Sequence, residues 1–356
     1  EKEILVKEVT LNVAPKGKPK EKLVIKGEIL REKGKRSKFE LLANRITVDN
    51  FLPFIPTSAT EKKSKIPKEE KVSGPAKELS PLDLTDIELE GIVDIKALTY
   101  KKLSITDLRL NTSVADNIID VKDIKMKINN ADFITRAKVK VDVPGWQYSL
   151  ATNLKQLNMA PVVDSFAPQI KDKMEGITNL TMEIKGQGTL PHNLQQHLKG
   201  KITGERMDGK IGAIPILTAL AEVTQIPELE ELRFFKGIYD LNIDQGKINI
   251  NKLDFQGKIE RLVVRGWVGL DEKIDLSLQV ALAPPLNRKL KELRYIGELL
   301  TDAEGYTELP VPVGMTGTFS RPKPSLKLKS VMKEKGKELL EDLLRRELLK
   351  EKKRRD

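Results

Sequence analysis

The side chains best suited to acid–base work or metal binding are two histidines, His192 and His197. Five residues apart, they do not share a helix face. The chain has no cysteine, so neither a thiolate nucleophile nor a Cys/His zinc site is supported. No nucleophile motif accompanies either histidine, Gly-x-Ser-x-Gly is absent, and both histidines are read as surface residues. The nearest approach to a phosphate loop is Gly204 to Ile211, which has the Gly-x4-Gly-Lys spacing. Its last position is Ile211, where magnesium binding requires Ser or Thr. That stretch is read as a hairpin. No carboxylate pair stands out for acid–base chemistry. The sequence therefore predicts no catalytic residue, no metal site and no cofactor, and a protein that is not an enzyme.

What the chain does carry is alternation. Val9, Leu11 and Val13, then Leu23 and Ile25, Phe39 and Leu41, and Ile46 and Val48 give short period-2 bursts over 1–55. Residues 56–80 are polar, contain Pro and lack periodicity, as a linker or long loop would. Strands resume over 81–326. Val93, Ile95 and Ala97 alternate there, as do Leu108 and Leu110, and Ile124, Met126 and Ile128. The cleanest runs are Val139, Val141 and Val143, set against Lys138, Lys140 and Asp142, and Leu276, Leu278 and Val280, set against Asp275, Ser277 and Gln279. Leu262 and Val264 share one face of the preceding strand. Helical spacing is confined to short stretches near 159–174, 191–198, 214–223 and 286–300. Gly-Lys-Ile recurs at 200–202, 209–211, 246–248 and 257–259, read each time as a turn glycine opening a strand. Residues 327–356 read as a charged amphipathic helix with Leu340, Leu344 and Leu348 on one stripe. Its bland reading is a cover for a sheet end, and its sharper one a helix lying on an anionic membrane.

These readings predict a mainly β fold. A long, curled antiparallel sheet would form an elongated apolar groove, with a few short helices and a basic C-terminal helix. Hydrophobic residues make up 39% and charged residues 32%, a balance that suits a sheet with one wet face. The net charge of +11 would serve a nucleic-acid binder, but aromatics at 4% leave few stacking platforms. No nucleic acid is expected, and anionic lipid headgroups make equal use of the charge. The longest uncharged apolar run, Ile211 to Ala221, is far short of the ~20 residues of a spanning helix. Any anchor is expected to lie outside this segment, which starts at Glu1 without a Met and reads as a piece of a longer protein.

Several runs, taken in order, resemble the AsmA family of bacterial envelope proteins. They are PLDLTDIELEGIVDIKALTYKKLSITDLRL, then YSLATNLKQLNMAPVVDSF, KGQGTLPHNLQQHLKGKITGERMDGKIGAIPI, FKGIYDLNIDQGKINI, VVRGWVGLDEKIDLSLQVAL and LPVPVGMTGTFSRPKPSLK. The resemblance covers about residues 82–326, and residues 1–55 fit it less clearly. It implies a non-enzymatic protein held in the inner membrane, with its mass in the periplasm, that carries phospholipid towards the outer membrane. Outer-membrane or other envelope proteins are the implied partners. The residues offered for lipid contact are Val139, Val141, Val143, Leu262, Val264, Leu276, Leu278 and Val280. The alternative is an envelope scaffold with a closed β core that assists outer-membrane protein assembly through protein contacts.

Overall fold

The computed structural model describes residues 3–13, 21–30, 35–48, 78–166, 170–284, 286–287, 301–309 and 311–326. The bulk of the linker expected over 56–80, nearly all of the helix expected near 286–300 and the basic helix expected over 327–356 lie outside the described residues. Among the described residues the protein is mainly β, with eighteen strands in one mixed sheet that does not close and three short α-helices. Two compact units divide the chain: Glu1–Pro168 with Thr178–Lys201, and Gln169–Ile177 with Ile202–Asp356. The division falls inside the stretch read from sequence as one region, 81–326.

The first unit contains β1 (Glu3–Val13), β2 (Glu21–Leu30), β3 (Arg36–Ala43), β4 (Ile46–Thr47), β5 (Glu88–Tyr100), β6 (Leu103–Ala115), β7 (Ile118–Ile128), β8 (Ala131–Lys140), β9 (Gln147–Asn158), α1 (Met159–Phe166) and α2 (Pro191–His197). It also holds most of β10 (Met174–Gln187) and the start of β11 (Lys199–Ile211). Two-residue turns with positive φ at both central positions set the hairpins. Asp116 and Asn117 join β6 to β7, and Asn129 and Asn130 join β7 to β8. Asn and Asp tolerate this backbone, whose twist matches the strands it joins.

One departure from the antiparallel expectation is local. β3 and β4 pair parallel with β5, Leu41 facing Val93 and Ile46 facing Leu98. A parallel return needs a dozen or more connecting residues, and the chain between Thr47 and Glu88 supplies them.

The far end of the polar stretch is anchored. The Glu78 carboxylate accepts from the Thr189 and Leu190 N–H groups and from Asn193 Nδ2, at 2.8–2.9 Å. Burial would raise its pKa, but these donors, which favour the charged form, hold it down at about 2.

The second unit contains the rest of β10 and β11, α3 (Pro215–Thr224), a 3-10 turn (Pro227–Glu230), β12 (Leu232–Asp244), β13 (Lys247–Gly257), β14 (Glu260–Gly269), β15 (Lys273–Leu282), β16 (Thr307–Glu308), β17 (Val313–Thr318) and β18 (Arg321–Leu326). Pro215 opens α3, where its missing N–H costs nothing. Gln225 closes the helix in the left-handed region, donating to the Ala221 and Glu222 carbonyls. Ile216, Leu217, Leu220, Ile226 and Leu229 are buried with Leu232, Phe234, Leu278, Val280, Val313 and Met315 in one core.

Two of the four Gly-Lys-Ile units are not turns. Gly246 (φ 70) closes the β12–β13 hairpin and Gly257 sits at the β13–β14 corner, as expected. Gly200 and Gly209, by contrast, lie inside β11. A Cβ on Gly200 would stand 2.8 Å from the Glu183 carbonyl oxygen, and one on Gly209 would enter the Phe234 ring. Glycine is needed there for close approach rather than for a turn. The stretch from Gly204 to Ile211 is accordingly strand, not a hairpin.

One ionisable group in the second unit has a stability consequence. Glu260 is 1% exposed; its Oε1 accepts from the Arg233 N–H at 3.0 Å, and its Oε2 has no partner. Burial pushes its pKa up to about 7, against the opposing effect of that N–H. The folded-state value is above the unfolded one, so the native state binds the extra proton between them. Stability from this group is therefore full below about pH 4.5 and lost as pH rises towards 7. The loss amounts to about 3 kcal/mol. Glu260→Gln should raise the melting temperature at pH 8 and change it little at pH 4, so thermal melts at the two pH values should separate it from the parent only at the higher one.

Candidate functional site: a partly open aliphatic face

Strand register in the first unit lines up apolar side chains into rows that cross the sheet. Val9 faces Ile25, Ile25 faces Leu41, Leu41 faces Val93, Val93 faces Leu110 and Leu110 faces Ile124. Ile124 faces Thr135, which faces Thr152. Residues opposite each other on neighbouring strands share a face, so eight strands contribute to one line. Thr135 and Thr152 do not break its apolar character. Thr135 donates to the Ala151 carbonyl at 2.9 Å, and its oxygen lies 2.8 Å from the Thr152 hydroxyl.

Parallel rows flank this one. On one side Leu11, Leu23, Ala43, Ile95 and Leu108 are opposed in turn. On the other run Thr112, Val121, Ala137 and Leu150, and beyond them Val114, Ile119, Val139 and Tyr148. Tyr148 marks the margin, donating to the Gly188 carbonyl at 3.1 Å. Burial first, and then the Glu78 charge, raise its pKa and keep the phenol neutral.

Cover over these rows is scarce. At one corner Met159 and Val162 of α1 pack on Ala131, Leu154 and Leu157, together with Ile128, Phe133 and Leu180. Elsewhere Ala43, Ile95, Val114, Thr135 and Thr152 of these rows are buried, whereas Val93, Leu110, Val121, Ile124, Val139 and Leu150 are only half-buried. Each of these six keeps part of its surface open to solvent. On β1 the same face is open: Val9 is 45% and Leu11 46% exposed. The opposite face is charged and ion-paired, with Arg109 to Asp94 at 3.3 Å, Lys138 to Asp120 at 3.5 Å and Arg36 to Glu90 at 3.1 Å. Such pairs contribute little stability, yet they keep that face wet. The result is a sheet with one hydrated face and one aliphatic face that carries no ionisable group in its central row.

The eight residues nominated from sequence divide between the units. Val139 lies in the outer row between Ile119 and Tyr148 and is half-buried. Val141 and Val143 lie just past the end of β8. Val141 is wholly buried, donating to the Asn117 carbonyl and accepting from the Leu82 N–H. Val143 is half-buried, and its carbonyl accepts from the Trp146 N–H. Leu262, Val264, Leu276, Leu278 and Val280 are buried in the core that holds α3, at most 6% exposed. They form a packed interior rather than an open face. The residues that build the open face include Ile25, Leu41, Val93, Leu110 and Ile124, which the alternation places on strands without singling them out. Their alternation was visible, but the register that aligns them was not. His192 and His197 are exposed on α2, and the described residues contain no cluster able to hold a metal ion.

The comparison with known families decides the relationship. The AsmA family model matches residues 1–253. The chain belongs to the AsmA family. The match starts at the first residue, so β1 to β4, which resembled the family less clearly from sequence, lie within it, and it stops inside β13. The whole aliphatic face of the first unit falls within the matched part. No curated protein and no solved structure matches the chain. AsmA family proteins are associated with the bacterial envelope. No helix among the described residues of this AsmA protein is long and apolar enough to cross a membrane.

Proposed function

We propose that this AsmA protein is a non-enzymatic envelope component that holds phospholipid acyl chains on the partly open aliphatic face of its first unit. In this reading it works in the periplasm from an inner-membrane anchor and assists lipid transport between the inner and outer membranes. The observation that carries the reading is the eight-strand row from Val9 to Thr152, aliphatic for six strands, in which Val9 is exposed and Ile25, Leu41, Val93, Leu110 and Ile124 stay only half-buried. An apolar face of this extent in water has to be covered by something. Each methylene laid against it contributes about 0.8 kcal/mol, so an acyl chain binds without a specific polar contact. Recognition by alkyl contact tolerates different headgroups. Lysines at the sheet margins can meet a phosphate there.

The second unit favours another reading for its own share of the chain. Its apolar strand faces are closed by α3, as in a scaffold that acts through protein contacts with envelope partners. The test for the whole proposal is extraction of protein purified without added lipid, followed by mass spectrometry. Phospholipid recovered in fixed ratio to protein supports the lipid reading. Lipid-free protein that stays monodisperse leaves the scaffold.

A further inference from the structure

The charged face of the first unit is not uniform. Along the first part of β9 its outward positions are Gln147, Ser149, Ala151 and Asn153, none of them charged, whereas the neighbouring β8 carries Arg136, Lys138 and Lys140 there. Lys138 stands opposite Ser149 and Arg136 opposite Ala151. A floor of small side chains thus lies beside a wall of long cationic ones. Lys185, Lys199 and Lys201 line the other side, and the hollow between has a volume of about 780 Å³. A bulge in β7 adds to it. The register shifts between Val121 and Ile124, so Lys122 and Asp123 crowd towards Arg136 and both line the hollow. Bulges re-aim side chains in this way. A second hollow of about 440 Å³ continues along the same floor, shares Lys138, Ser149 and Lys185, and is edged by Lys140 and His197.

The charges in the main hollow do not cancel. Six cations line it against three carboxylates, Asp120, Asp123 and Glu183. Asp120 is committed to Lys138 at 3.5 Å. Lys122, Arg136, Lys185 and Lys201 have no side-chain ion pair or hydrogen bond among the described residues. An arginine without a partner offers a planar fork that matches two oxygens of one anion, and the lysines supply point charges around it.

We propose that this trough is a binding site for a multivalent phosphate-bearing anion, on the face opposite the aliphatic one and independent of lipid held there. Its chemistry fits a di- or polyphosphate group, whether free in solution or displayed by a lipid headgroup at a membrane surface.

The experiment titrates inorganic pyrophosphate into the full chain at low ionic strength. The variants are Arg136→Glu/Lys185→Glu and, as a control with the same change in net charge, Lys125→Glu/Lys155→Glu. Lys125 and Lys155 are exposed and line neither hollow. The expected result is saturable binding by the parent and the control, with at least tenfold weaker binding by Arg136→Glu/Lys185→Glu, whose melting temperature and bound phospholipid are unchanged. Binding of the parent to phosphatidylcholine vesicles only when they contain diacylglycerol pyrophosphate, lost in the trough variant, identifies the headgroup source. Pyrophosphate binding without vesicle binding identifies the free anion as the source. No saturable binding by the parent, or an equal loss in both variants, overturns the proposal.

Discussion

Leu278→Asp is expected to unfold the second unit. Leu278 is 1% exposed, opposes Val264 on β14 and Val313 on β17, and shares the core with Leu220 and Met315. An aspartate there would be buried among aliphatic side chains with no donor to meet it. Burial of an unpaired carboxylate costs several kcal/mol even after the group takes up a proton. Folded domains have a total stability of only about 5–15 kcal/mol. The cooperative melt assigned to this unit should be lost, or should fall by well over ten degrees, and circular dichroism melting checks it. A variant that melts like the parent would show that the apolar side of β15 reaches solvent.

Ile124→Asp should do the reverse, with the fold kept and bound phospholipid lost. Ile124 sits mid-row between Leu110 and Thr135 and is half-buried, so part of its side chain meets solvent. A carboxylate at this position can turn to water, so the cost to folding is the lost alkyl contact, about 1–2 kcal/mol. To an acyl chain lying across the row it presents a charge that must be stripped of water, at several kcal/mol. Each 1.4 kcal/mol is a tenfold change in affinity, so phospholipid retained through purification should drop at least tenfold. Melting temperature and lipid content are to be measured on the same preparation. Loss of both together would mean that the face is structural rather than a lipid surface.

The contrast between these two positions marks what the sequence could convey. Ile124 with Met126 and Leu276 with Leu278 show the same alternation, because period 2 reports only that one side of a strand is apolar. It does not report what lies on that side. The cover over Leu278 comes from α3, which is some fifty residues earlier in the chain. A signal was present there: Ile216, Leu217, Ala219, Leu220 and Ala221 are all buried, and a helix apolar on so many sides needs a sheet face to pack on. The run at 214–223 was read as a helix, but not as a lid. Among its described residues the first unit has no comparable helix, and its α1 reaches only the corner near Leu154.

Strand order was legible for the hairpins. Asp116-Asn117 and Asn129-Asn130 lie in two-residue turns that fix which strands are neighbours. The parallel pairing of β3 with β5 was not, because a long connection permits either direction. Gly200 and Gly209 were misread for a related reason. A glycine demanded by close approach and one demanded by a turn are the same letter, and only the Phe234 ring over Gly209 tells them apart.

The central claim is that acyl chains lie on the aliphatic face of the first unit and not on its charged face. Photo-cross-linking in cells tests it most directly. A photoreactive side chain is placed at Ile124 in one protein and at Lys125, its neighbour on the opposite face, in another. A phospholipid adduct, seen by mass spectrometry, is expected from position 124 and none from 125. No adduct at 124, or adducts of equal yield at both positions, would contradict it.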